Sequence, residues 1–138
     1  MKILVDTNIF LDILLQRSPF FQDSHRIFKI VENGLAEGFV APITINNISY
    51  IARKSHQPDQ IRQYIVTIAE TFTICRMDAP IVIRSTALSF TDIEDSLQAA
   101  MAESHGCDFI ITSNCSDYQH SPVPAVTATT FLDQFTKP

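Results

Sequence analysis

The chain has 138 residues and a mass of 15.5 kDa, enough for one domain with a real core and too little for two ordinary ones. Hydrophobic residues make up 46% and charged ones 18%, and the three glycines and seven prolines are scattered, which argues against a disordered or fibrous chain. A formal net charge of −5 and a pI near 5.2 argue against a broad basic face for nucleic acid, because such binding draws its energy from counterion release at phosphates; any nucleic-acid contact must be local.

Lys2 to Asp6 (KILVD) is a short apolar run stopped by polar residues, as expected for a buried parallel strand. Asn8 to Gln16 then carries Ile9, Leu11, Ile13, Leu14 and Leu15 in a helix. Ser18 and Pro19 form a cap-plus-first-turn signal for a second helix, with Phe21, Ile27, Phe28, Val31 and Leu35 at helical spacing until Asn33 and Gly34 end it. Gly38 to Ile43 reads as the next strand, and Thr44 as the cap of a helix running to about Lys54. Pro58 opens another helix whose stripe of Ile61, Ile65, Ile68 and Phe72 is core. Thr73 to Met77 is a third strand, Asp78 and Pro80 start a short helix, and Asp95 to Ser104 forms another, closed by Gly106. Phe109 to Thr112 is a fourth strand, Ala125 to Thr127 a fifth, and Thr129 to Phe135 a last helical turn or two.

Strands alternating with helices predict an α/β fold, a three-layer α/β/α sandwich on a central, mostly parallel sheet of about five strands, as a single domain over residues 1–138. In such sheets ligands bind beyond the carboxyl ends of the strands, so polar residues just after strands are the candidates. The N-terminus lacks the long apolar stretch and cleavage site of a secretory signal, and no apolar run approaches the roughly 18 residues of a membrane span. Cys75, Cys107 and Cys115 are odd in number without a CxxC pair, which suits free thiols in a reducing compartment; the expectation is a cytoplasmic protein.

Three polar clusters meet these conditions: Asp6-Thr7-Asn8, Asp92-Ile93-Glu94-Asp95, and Thr112-Ser113-Asn114 with Asp117. Carboxylates within about 5 Å of one another repel unless protonated or bound to a cation, and hard divalent cations prefer such oxygen ligands. The plain alternative for each is local: Asp6, Asn8, Asp92 and Asp95 are good helix caps, and Asn114 and Asp117 ordinary turn formers. Arg53 and Lys54 at the end of a helix, with Arg17, Arg26 and Lys29 earlier, are candidate phosphate contacts or simply solvated charges. His105, Cys107, Cys115 and His120 are close in sequence, but at about 3.3 Å per residue the strand Phe109 to Thr112 should hold the two cysteines apart, which argues against zinc.

The start MKILVDTNIFLDILL, the later segment EDSLQAAMAESHGCDFIITSN and the pair Asp117-Tyr118 together resemble the PIN domain, in particular the small bacterial branch of VapC-like toxins of toxin–antitoxin pairs. The matching positions are Asp6, Thr7 and Asn8 at the end of the first strand, Asp95 in DSLQAAMA, and Asn114 with Asp117-Tyr118 after the fourth strand. The resemblance implies a metal-dependent ribonuclease. Asp6, Asp95 and Asp117 would hold Mg²⁺ or Mn²⁺, with Asp117 on a water or a second metal. Asn8 and Thr112 would orient the carboxylates, and Glu94 would assist. It also implies an RNA substrate, a homodimer and, for a toxin, a cognate antitoxin. The family often places Glu on the helix after the second strand, where APITINNISYIARK offers Asn46 and, as the better match, Asn47; Asn114 likewise stands where many relatives have Asp. Asn supplies a carbonyl ligand without charge, so a non-catalytic RNA- or protein-binding module is the alternative. A phosphorylated Asp6, as in aspartyl phosphatases or receivers, fits less well: Asn8 replaces the second acid, and no well-placed Lys follows the fourth strand.

Overall fold

Strands and helices alternate along the chain, and the structure, a computed structural model, describes residues 1–135. The elements are β1 (Lys2–Val5), α1 (Thr7–Leu14), α2 (Phe21–Glu32), β2 (Glu37–Val40), α3 (Pro42–Ala52), α4 (Pro58–Thr71) and β3 (Thr73–Ile74). They continue as α5 (Ala79–Thr86), α6 (Ile93–Ser104), β4 (Phe109–Ile111), a 3₁₀ turn (Cys115–Tyr118), β5 (Ala125–Val126) and α7 (Ala128–Phe135). The five strands form one sheet in the order β3-β2-β1-β4-β5, and every neighbouring pair is parallel. Residues 136–138 of the expected domain lie outside the described residues.

Side chains on a strand alternate between the two faces, and here the alternation divides the core in two. Ile3, Val5, Val40 and Ile111 pack with Ile9 and Phe10 of α1, Ile27 and Phe28 of α2, Ile68 of α4 and Phe131 of α7. Leu4, Phe39 and Ile110 face the opposite way, onto Ile81 of α5 and Ala99, Ala100, Met101 and Ala102 of α6. The small alanines let α6 lie close to the sheet, while Phe10 fills the other layer edge-on to Phe28 and Phe72, with ring centroids 6.4 and 5.0 Å away. The result is the expected three-layer sandwich, with a sheet that is parallel throughout.

The strand order decides where a ligand can bind. The chain leaves β1 to one side for β2 and β3 and returns on the other side for β4 and β5. The crevice beyond the carboxyl ends of β1 and β4 is therefore the point where strand order reverses.

Several element boundaries differ from the sequence expectation. Helix α2 starts at Phe21 with Phe20 in the cap position and no side-chain cap bond, so Ser18 does not cap it. Strand β2 ends at Val40, because Pro42 in the first turn of α3 makes Ala41 the cap and places Thr44 inside the helix, fully buried. β3 is only two residues long, Thr73–Ile74. Helix α6 opens earlier than Asp95: the Asp92 carboxylate caps it by accepting from the Glu94 and Asp95 N–H groups, which puts Asp95 within the first turn. Asp78 caps α5 and Gly106, at φ +69°, follows the end of α6, both as expected; glycine enters that left-handed region without a Cβ clash.

Candidate active site

Asp6 follows β1 directly and is only 6% exposed. Its N–H donates to the Ile111 carbonyl at 3.0 Å, continuing the β1–β4 ladder and placing Asp6 beside Thr112. Its carboxylate is held by three donors. Oδ1 accepts from the Thr7 N–H at 2.7 Å and from Gln98 Nε2 at 2.8 Å, and Oδ2 accepts from the Thr112 hydroxyl at 2.8 Å. One side chain thus caps α1 and also joins it to α6 and to the end of β4. With about two lone pairs per carboxylate oxygen, Oδ1 is saturated by these bonds and Oδ2 keeps one position for a further partner.

Asp95 is coupled to Asp6 through two residues that the sequence reading did not single out as site residues. Gln98 lies one helical turn beyond Asp95 on α6, is 3% exposed, and donates its second Nε2 hydrogen to the Tyr118 oxygen at 3.0 Å. Tyr118, buried on the 3₁₀ turn, donates in turn to Asp95 Oδ1 at 3.1 Å. Every donor in this chain is directed: amide to Asp6, amide to phenol, phenol to Asp95. The only signals in the sequence were that Gln98 is a polar residue on an otherwise apolar helix face and that Tyr118 follows Asp117. Gln98 Oε1 is buried without a hydrogen-bond partner, the one such side-chain atom among the described residues. The amide cannot be turned over to relieve it, since that would set Oε1 against the Asp6 carboxylate.

The electrostatics are those of a carboxylate cluster. Burial, then the nearby charges of Asp92, Asp6 and Asp117, push the Asp95 carboxyl up to about 6, against a smaller lowering by the Tyr118 hydrogen bond. Burial and the charges of Asp6, Asp95 and Asp117 raise Tyr118, which keeps it a phenol able to donate. Asp95 and the exposed Asp117 line one cleft of about 380 Å³, together with Asp92, Phe90 and His120. Asp6 sits behind that cleft, within electrostatic reach of Asp95.

The supporting residues are placed unevenly. Thr112 bonds Asp6 as expected and also receives the Asn114 N–H at 3.1 Å, while the Asn114 side chain is exposed. Asn47 on α3 donates to Glu94 Oε2 at 3.2 Å, so these two pair with each other at the edge of the site. Asn8 is half-buried on α1 and has no side-chain hydrogen bond among the described residues. Thr44, displaced from its expected cap, shares a hydrogen bond with the Thr7 hydroxyl at 2.9 Å and ties α3 to the start of α1. Arg53 and Lys54 are exposed at the end of α3. Arg17, Arg26 and Lys29 are already near carboxylates, at 3.8 Å from Asp12, 3.9 Å from Asp23 and 2.8 Å from Glu32. His105 accepts from the Arg76 N–H at 3.0 Å and packs against Phe39, whereas His120 lines the cleft with Asp95 and Asp117. Burial pushes the Cys75 and Cys107 thiols up to about 12, which leaves them protonated core residues.

The donor set suits a hard divalent cation in kind, since every candidate ligand atom is oxygen. Among the described residues no group of three or more His, Cys, Asp and Glu side chains is gathered so as to hold a metal ion. Mg²⁺ commonly takes one or two carboxylates and keeps several waters, and Asp6 Oδ2 and Asp95 Oδ2 each keep a free acceptor position. No helix among the described residues is long and apolar enough to cross a membrane.

Solved structures share this fold at low sequence identity. VapBC from Salmonella typhimurium, solved bound to DNA, matches with a TM-score of 0.72 and 17% identity over 93% of this chain and 98% of that one. VapBC2 from Rickettsia felis, bound to a DNA fragment from their promoter, gives 0.69 and 14% over 92% and 98%. VapBC-1 from nontypeable Haemophilus influenzae gives 0.68 and 18% over 94% and 99%. Among curated proteins none matches in sequence. The PIN domain family model matches residues 2–116, a span that contains Asp6, Asp95 and the Gln98 amide between them. The chain therefore belongs to the PIN-domain family, whose members are generally nucleases that use divalent metal ions.

Proposed function

We propose that the protein is a metal-dependent ribonuclease that hydrolyses RNA phosphodiester bonds as the toxin of a toxin–antitoxin pair. The observation that carries this reading is the Asp6–Gln98–Tyr118–Asp95 chain of hydrogen bonds, which orients two carboxylates at the crevice between β1 and β4 and leaves one oxygen of each able to accept a cation. Bound there, Mg²⁺ or Mn²⁺ would supply Lewis-acid polarisation of a phosphate and a more acidic water. Asp6 and Asp95 hold the cation, and Thr112, Gln98 and Tyr118 fix their orientation. Asp117, at the exposed rim, adds negative charge beside Asp95 and takes an outer position. Asn8 and Asn114 offer neutral carbonyl oxygens, and Glu94 is steadied by Asn47. No side-chain nucleophile is required.

Arg53 and Lys54 serve as local phosphate contacts in a chain of net charge −5. The VapBC structures that share the fold support a cognate antitoxin as partner. In this reading residues 1–138 are one domain and the toxin is a cytoplasmic homodimer. The test is cleavage of a panel of structured RNAs with Mg²⁺ or Mn²⁺. Cutting is expected to vanish on chelation and in Asp6→Asn and Asp95→Asn. A folded wild type that neither cuts RNA nor binds Mn²⁺ refutes the reading. It would favour the non-catalytic RNA- or protein-binding module, which the uncharged Asn47 and Asn114 and the loose grouping of the carboxylates support.

A further inference from the structure

A groove of about 630 Å³ lies outside the carboxylate cleft, between α3 and α4. Its walls combine Tyr50, Arg53, His56 and Arg62 with Asn46 and Asn47. Tyr50 is 63% exposed, an unusual cost for a large aromatic side chain on a helix. The Arg53 guanidinium lies over its ring at 4.1 Å from the centroid and, among the described residues, has no carboxylate partner. An aromatic ring and a guanidinium plane already stacked together form a platform for a nucleobase, with a positive charge left over for the adjoining phosphate.

Two features extend the platform into a track. Arg62, across the groove on α4, is held only by Asp59 at 3.0 Å, and both side chains are highly exposed; such a pair contributes little, so the guanidinium is free to exchange its partner for a phosphate. At the other end Asn47 lines the groove and bonds Glu94, the residue before Asp95. Asn47, Tyr50 and Arg53 follow one another at three-residue steps along α3 and its C-cap, so the platform stands about 4.5–9 Å of helix rise beyond Asn47. Lys54, which sequence alone ranked with Arg53, does not line this groove.

We propose that this groove is a subsite for single-stranded RNA, in which an unpaired base stacks on the Tyr50–Arg53 platform and Arg62 and His56 face the backbone. The subsite rests on the ribonuclease reading for its substrate, and it specifies that the strand is unpaired where it crosses α3. Charge favours RNA over a polypeptide occupant: in an acidic chain the walls of the groove carry the guanidinium groups of Arg53 and Arg62 and, among the described residues, no carboxylate, with Asp59 and Glu94 only as neighbours of Arg62 and Asn47.

The test is fluorescence anisotropy with a labelled single-stranded RNA, a hairpin of the same composition and a single-stranded DNA. It uses the Asp95→Asn protein in chelator, so that neither cleavage nor metal enters the measurement. Tyr50→Ala is expected to weaken single-strand binding about tenfold and Tyr50→Phe to restore it, as base stacking requires. Arg53→Ala is expected to weaken binding and lower its dependence on salt by about one phosphate contact. Preference for the hairpin stem, or unchanged affinity in both Tyr50→Ala and Arg53→Ala, overturns the subsite and leaves the groove to a polypeptide. RNA binding that depends on Tyr50 in a protein that never cuts would retain the subsite and refute the nuclease instead.

Discussion

Replacing Gln98 by Met separates the stability of this fold from the function of its site. The side chain keeps its length and loses the amide. Leaving the Asp6 and Tyr118 acceptors short of a donor costs on the order of 1–3 kcal/mol each, with the ionised Asp6 at the upper end. The same substitution removes the stranded Oε1, whose burial without a partner costs about 1–3 kcal/mol in the wild type. The opposing contributions leave a net loss of about 1–5 kcal/mol, read as a lowered urea midpoint. Cation affinity has no such offset. Asp6 loses one of its three donors and the phenol loses the group that aligns it toward Asp95, so Mn²⁺ binding is expected to weaken by about 10–100-fold, the usual effect of removing an orienting partner of a ligand. Tyr118→Phe, which deletes only the hydroxyl, should weaken it by about tenfold, because Asp6 keeps its donors. The assay is Mn²⁺ titration followed by electron paramagnetic resonance, beside urea unfolding of the same metal-free samples. Wild-type Mn²⁺ affinity in Gln98→Met would refute the reasoning, as would a loss of affinity no larger than the loss of folded protein explains.

Proton competition gives a second expectation: with Asp95 pushed up to about 6, Mn²⁺ affinity should hold steady above pH 7 and fall by about tenfold per unit below pH 6, with proton release on binding measurable by calorimetry in two buffers. Because this carboxyl is raised, its contribution favours the metal-free fold below the unfolded value of 3.8 and is lost as pH rises through about 6, so the metal-free protein should melt lower at pH 7.5 than at pH 5 from this group, with Mn²⁺ reversing the difference. Asp92→Ala removes the cap of α6 and should cost about 1 kcal/mol in urea unfolding, while relieving one of the charges that raise Asp95; an unchanged pH profile of Mn²⁺ binding would exclude that coupling. Gly38→Ala places a methyl 2.5 Å from Phe72 Cδ2 and 2.7 Å from Val31 Cγ1, so α2 and the end of α4 must shift, and a loss of about 1–3 kcal/mol is expected by thermal unfolding.

The period of the apolar residues and the positions of Pro, Gly and Asp determined the alternation of strands and helices, the layered architecture and the placement of Asp6 and Thr112 just past strand ends. These are local properties: whether a run of residues can bury one face, both faces or a stripe is settled within a few residues. Even at that scale some signals were ambiguous. Thr44 read as the cap of α3, but Pro42 in the first turn makes Ala41 the cap and leaves Thr44 to bond Thr7; Asp92 and Asp95 both offered a cap for α6, and Asp92 took the role and left Asp95 to accept from Tyr118. Only the tertiary structure decided that β1 lies beside β4, 106 residues away, so that Thr112 reaches Asp6. It likewise decided that Gln98, 92 residues from Asp6, bonds it instead of ending in core, and that Tyr50 and Arg53 stay in solvent opposite Arg62. Such distances follow from how two separate cores pack α3 and α6 against the sheet, and no spacing within the chain encodes them.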